Sequence, residues 1–129
     1  MAGETDLERM LATLDVDPRP GRFTFVTGEW PELAAVAAAT VSEVEGTTYV
    51  VTVEQAVAVG APVGFEACWL TLSVHSALEA VGLTAAFSAA LCEAGISCNV
   101  LAGYHHDHLL VPADRADDAV RVLRSLSSR

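Results

Sequence analysis

The chain's four histidines are His75, His105, His106 and His108, and the last three stand with Asp107 in one short run, YHHDH. Neutral imidazole nitrogen and carboxylate oxygen together suit zinc and several other transition metals, so these four histidines form an alternative metal shell. Alternation along an extended strand puts His106 and His108 on one side and Asp107 on the other, and an aspartate that stabilises a turn needs no metal. The stronger chemistry lies at Ser76 to Leu83. Ser76 and Glu79 have the spacing of a capping box, and Gly82 lets a ligand approach the backbone closely. A helix N-terminus in this stretch offers unpaired backbone N–H groups that favour a carboxylate. Glu79 offers a carboxylate to a cationic group, and Asn99 offers both a donor and an acceptor.

Catalysis has little support. Ser73 or Ser76 beside His75 and Asp107 makes a triad only on paper, because neighbours in sequence rarely have the required geometry and no GxSxG elbow is present. The glycines are scattered and form no GxxxxGK phosphate loop. Glu43 and Glu45 read as a charged surface. The expectation is a protein without enzymatic activity and without a cofactor.

The elements that must position these residues are legible from periodicity. Ala67 to Val74 (ACWLTLSV) has the length and residue mix of a buried strand. Leu83, Phe87, Ala90, Leu91 and Ala94 share one helical face, and Gly95 ends that helix. From Ile96 the spacing becomes two, with Ile96, Cys98, Val100 and Ala102 on one side of a strand and Ser97, Asn99 and Leu101 on the other. Tyr104 to Asp107 is a polar hairpin tip, His108 to Val111 returns, and Pro112 stops the strand. Asp114 then caps a helix with the stripe Ala116, Ala119, Val120, Leu123 and Leu126. The series is β-α-β-β-α, most of a ferredoxin-like unit, with no fourth strand after its last helix.

The pair Gly82-Leu83, the helix ending Glu93-Ala94-Gly95-Ile96 and the hairpin beyond resemble an ACT domain, a small regulatory module that binds amino acids. More narrowly, VHSALEAVGLTAAFSAAL followed by ISCNVLAGYHHDHLLVP is similar to a family of small bacterial ACT-like proteins, mostly of unassigned function. The resemblance implies an amino-acid ligand near Ser76 to Leu83, in a register that starts the helix near Gly82 so that the N–H groups of Val81, Gly82 and Leu83 hold its carboxylate and Glu79 its ammonium group, often across a domain interface, with its presence reported through a subunit or partner interface.

The N-terminal half carries weaker motifs. Leu7 to Leu14 reads as a helix, Arg22 to Thr27 as a strand, Ala35 to Glu43 and Gly46 to Thr52 as a hairpin, and Val53 to Val59 as a short helix. Its alanines also permit a helix over Pro31 to Val44. The expected architecture is α+β: two incomplete ferredoxin-like halves, residues 1–64 and 65–129, each lending edges to the other in one compact protein.

Bulk properties narrow the partners. At 129 residues and 52% hydrophobic content the chain suits a single buried core, and its apolar runs fall short of the roughly 18 residues of a membrane span. A formal charge of -10 with 7 basic residues disfavours nucleic acid and anionic lipid. The acidic N-terminus (Glu4, Asp6, Glu8) is unlike a secretion signal, and Cys68, Cys92 and Cys98 lack CxxC spacing, so they read as buried thiols in the cytoplasm. An uncovered strand edge predicts a homodimer. The functional expectation is a regulatory protein that binds an amino acid; the alternatives are an assembly module without a ligand and a sensor that binds metal through the histidines.

Overall fold

Alternating apolar residues build the strands that carry the site. The computed structural model describes residues 6–74 and 81–128. Among them are helices α1 (Leu7–Ala12), α2 (Pro31–Ala34), α3 (Val53–Ala58), α4 (Leu83–Glu93) and α5 (Ala116–Ser125). The strands are β1 (Val16–Pro18), β2 (Phe23–Thr27), β3 (Ala39–Glu43), β4 (Gly46–Thr52), β5 (Ala67–Leu72), β6 (Asn99–Ala102) and β7 (Asp107–Pro112). Short 3-10 turns flank α5 at Ala113–Arg115 and Leu126–Ser128. Packing divides the chain into two units: one joins the chain up to Arg19 with the chain from Cys68 onward, and the other is Pro20–Ala67.

In the first unit β5, β7 and β6 lie side by side, with β6 at the edge. β7 and β6 are antiparallel in the register Asn99↔Leu110 to Ala102↔Asp107. The side of β5 left open by the C-terminal β-α-β-β-α series is covered by β1, antiparallel through Val16↔Leu72 to Pro18↔Leu70. The spatial order β1-β5-β7-β6 is that of a complete ferredoxin-like sheet, its last strand drawn from the N-terminus. One sheet face, with Leu70, Leu72, Leu109 and Val111, packs on Leu83, Phe87 and Leu91 of α4 and Ala119 and Leu123 of α5. Met10 and Leu14 join the same core and hold α1 against it.

The second unit repeats the plan. β2 pairs with β4 and β4 with β3, and Phe23 also pairs with Ala67 on the other side of β2. Leu33 of α2 and Ala56 of α3 cover Val26, Tyr49 and Val51. A full capping box starts α3: Thr52 accepts from the Gln55 N–H at 3.1 Å, and the Gln55 side chain accepts from the Thr52 N–H at 2.9 Å.

Several local expectations change. The helix permitted over Pro31 to Val44 forms only at Pro31–Ala34, after which the β-branched residues pair as β3 in the predicted hairpin. β6 begins at Asn99 instead of Ile96; Ile96 is buried at 4% exposure but falls before the β6–β7 ladder. Within β6, Val100 is 36% exposed and Ala102 is exposed, as befits an edge strand. Asp114 lies within a 3-10 turn instead of capping α5, whose first turn is tied by Arg115 Nε donating to Asp118 Oδ2 at 3.0 Å. The three cysteines are not a buried set: Cys92 is exposed on α4, and Cys68 and Cys98 are half-buried. No described helix is long and apolar enough to cross a membrane.

Candidate functional site

The residues expected to bind a ligand fall in three places. His75, Ser76 and Glu79 lie outside the described residues. Val81, Gly82 and Leu83 form the start of α4: Val81 is 81% exposed, Gly82 is the N-cap residue at φ 100°, and Leu83 enters the core. Gly82 makes no side-chain cap, so the first turn lacks the oxygen acceptor that Ser, Thr, Asp or Asn would supply there. Its missing Cβ also has a packing role, because a Cβ there would lie 3.0 Å from Leu7 Cδ2 of α1. Asn99 is exposed at the beginning of β6, beyond the far end of α4. At about 1.5 Å of rise per residue, the helix puts more than a dozen ångströms between Gly82 and its own C-terminus, so Asn99 and Gly82 stand at opposite ends of the unit.

A second polar cluster lies on the sheet face turned away from α4 and α5. Trp69 and Thr71 are two apart on β5, hence on one face, and His108 of β7 faces them. Trp69 Nε1–H donates to His108 Nδ1 at 3.2 Å and to Thr71 Oγ1 at 3.1 Å, while Thr71 Oγ1 is 2.9 Å from the same Nδ1. The Trp69 and His108 rings are 5.2 Å apart, and the Arg19 guanidinium carbon sits 4.9 Å from the Trp69 ring centre. Gly103 permits this arrangement, since a Cβ on it would meet the His106 carbonyl oxygen at 2.9 Å and His108 Nε2 at 3.0 Å. The hairpin tip carries Tyr104 edge-on to His105 at 5.0 Å.

Electrostatics follow this geometry. Burial lowers the His108 pKa, helped by His106 and Arg19 and opposed by Asp107. Burial raises the Asp107 pKa, against the attraction of His108 and His106. Among the described residues, no three His, Cys, Asp or Glu side chains gather as a metal shell. Sequence reasoning found His108 but missed Arg19, Trp69 and Thr71; the available signal was the i, i+2 spacing of an indole donor and a hydroxyl on one strand face.

A small sheet in ferredoxin-like strand order, backed on one face by helices and followed after its first strand by a glycine-started helix, defines the ferredoxin-like α+β class. The chain belongs to the ACT domain family, which it matches twice, over residues 64–125 and over residues 2–67. Among solved structures it resembles a Vibrio cholerae protein of unknown function, described as a possible transport protein, at 39% identity and TM-score 0.84 over 94% of this chain and 95% of that one. An Agrobacterium tumefaciens protein shares the fold at 14% identity and TM-score 0.70, over 88% of this chain and 89% of that one. The ligand-free regulatory subunit of aspartate kinase from Thermus thermophilus does so at 12% identity and TM-score 0.58, over 86% and 95% of the two chains. No curated protein matches the chain.

Proposed function

We propose that this protein is an amino-acid-binding regulator that acts as a homodimer and catalyses no reaction. The observation that supports it most is the start of α4, where an exposed Val81 precedes a glycine N-cap that makes no side-chain hydrogen bond. Such a terminus leaves N–H groups and the positive end of the helix dipole for an anionic group. In this reading Val81, Gly82 and Leu83 hold the ligand carboxylate, Ser76 lines the loop and Glu79 pairs with the ammonium group.

Asn99 enters from a second copy. β5 and β6, joined through α4, run parallel as β-α-β units do, so Ala102 ends at the edge where the β5–α4 loop begins. Antiparallel pairing of two β6 edges brings Asn99 of one copy beside Ala102 of the other, close to that loop. The regulatory part of the reading rests on family membership, and the likeness to a regulatory subunit of aspartate kinase agrees with it.

A thermal-shift screen of the amino acids against the full chain tests the reading, because a ligand selective for the folded state raises Tm by mass action. The ligand that emerges is expected to bind Glu79→Gln roughly tenfold to a hundredfold more weakly in calorimetry, the equivalent of one charge-assisted hydrogen bond. Unchanged affinity for folded Glu79→Gln overturns the site, and a screen in which no amino acid raises Tm overturns the ligand class.

A further inference from the structure

An indole N–H only donates, so the 3.2 Å contact from Trp69 Nε1 requires His108 Nδ1 to be unprotonated and puts the ring's proton on Nε2. Adding a second proton would turn Nδ1 into a donor facing another donor. Thr71 Oγ1 already receives Trp69 Nε1–H at 3.1 Å, so it would then have to serve both. The titratable and charged groups facing His108 are Arg19, which follows β1 and stacks on Trp69, His106 of the hairpin turn, and Asp107 of β7. Two of these repel an imidazolium and one attracts it.

We propose that His108 is a proton-operated latch: neutral, it ties the β6–β7 hairpin to β5 through Trp69 and Thr71, and protonated, it releases that tie. Burial, His106 and Arg19 hold the His108 pKa below its usual 6.5 while the tie is made. The released form takes up its proton near the ordinary value. The latch is therefore complete above about pH 6.5 and weakens as pH falls from there toward the lowered pKa of the tied form. Release acts on β5, whose end leads toward α4, so acid would loosen one wall of the unit independently of any ligand.

The test uses the full chain carrying Trp30→Phe, which leaves Trp69 as its single indole. Its fluorescence and the NMR signal of its Nε1–H are followed from about pH 8 to pH 4.5, with circular dichroism recording the fold. The expected result is one transition of both Trp69 signals, with a midpoint below about 6.5 and unchanged secondary structure. His108→Asn, which keeps an acceptor near the place of Nδ1 but does not titrate, abolishes the transition. Arg19→Gln removes a repelling charge and moves the midpoint upward. Trp69 signals that stay flat, or a transition that survives His108→Asn, overturn the latch. Should His108→Asn fail to fold, the imidazole resonances of His108 in the Trp30→Phe chain decide: a His108 midpoint that does not coincide with that of Trp69 overturns it equally.

Discussion

Two glycines show how a missing side chain specifies contacts. Gly103 leaves room for His108 and thereby for the Trp69 and Thr71 hydrogen bonds, so the cluster depends on an atom that is not there. Gly82 meets two demands at once, a φ of 100° and close contact with Leu7. Gly82→Ala is expected to destabilise the protein by about 1–3 kcal/mol, part from the left-handed backbone and part from the Leu7 contact. Urea denaturation of Gly82→Ala, Leu7→Ala and the double variant separates the two, since removing Leu7 Cδ2 relieves only the contact. Costs that simply add would show that Leu7 plays no part.

At the scale of elements, α5 is fastened to the segment before β1. Arg124 Nε donates to Asp15 Oδ1 at 2.8 Å and Arg124 Nη2 donates to the Val16 carbonyl at 3.2 Å. The Asp15 pKa is lowered from its ordinary 3.8, first by the Arg124 hydrogen bond and then by the Val16 N–H. A lowered carboxylate pKa adds stability that is present above 3.8 and is lost as pH falls through the folded-state value. Melting temperatures measured between pH 5 and pH 2.5, values set around the ordinary carboxylate range of about 3.9, should therefore fall less steeply for Arg124→Gln than for the parent. Equal slopes would remove this pair from the acid response.

The same elements show what periodicity discloses. The stripes Leu83, Phe87, Leu91 and Ala119, Leu123 read directly as helices because every member meets the core. Gly46 to Thr52 and its partner strand read as a hairpin because a glycine turn is followed by a run rich in β-branched residues. What escaped depends on strands that meet only in space. Arg19, Trp69 and Thr71 approach His108 through the pairing of β1, β5 and β7, and no local pattern announces which residues a strand will face. β6 shows the same limit: its alternation tells which residues share a side, and not that the strand lies at an edge that leaves Val100 open.

For the whole molecule, the exposed edges matter most. Among the described residues, β3 and β6 each have one paired side, to β4 and β7, and Val41 and Val100 stand exposed on them. Unpaired edges that carry apolar residues favour pairing with another copy. Light scattering at micromolar concentration and above is expected to give the mass of two chains, and Val100→Glu, which sets like charges against each other across a β6–β6 contact, to shift the population to one. A parent chain that scatters as a single copy at every concentration would end the proposal that Asn99 is supplied by a neighbour.

The pairing of Val16 with Leu72 has a further consequence for how the protein is made. Synthesis releases α1 and β1 before β5, so their pairing is completed only after Pro20–Ala67 has emerged. The second unit is continuous in the chain and has its own core, so it can fold while translation proceeds. Met10, Leu14 and Val16 must meanwhile wait on the nascent chain with their apolar surface exposed. Asp6, Glu8, Asp15 and Asp17 stand around them, and like charges flanking an apolar stretch oppose its association with other chains.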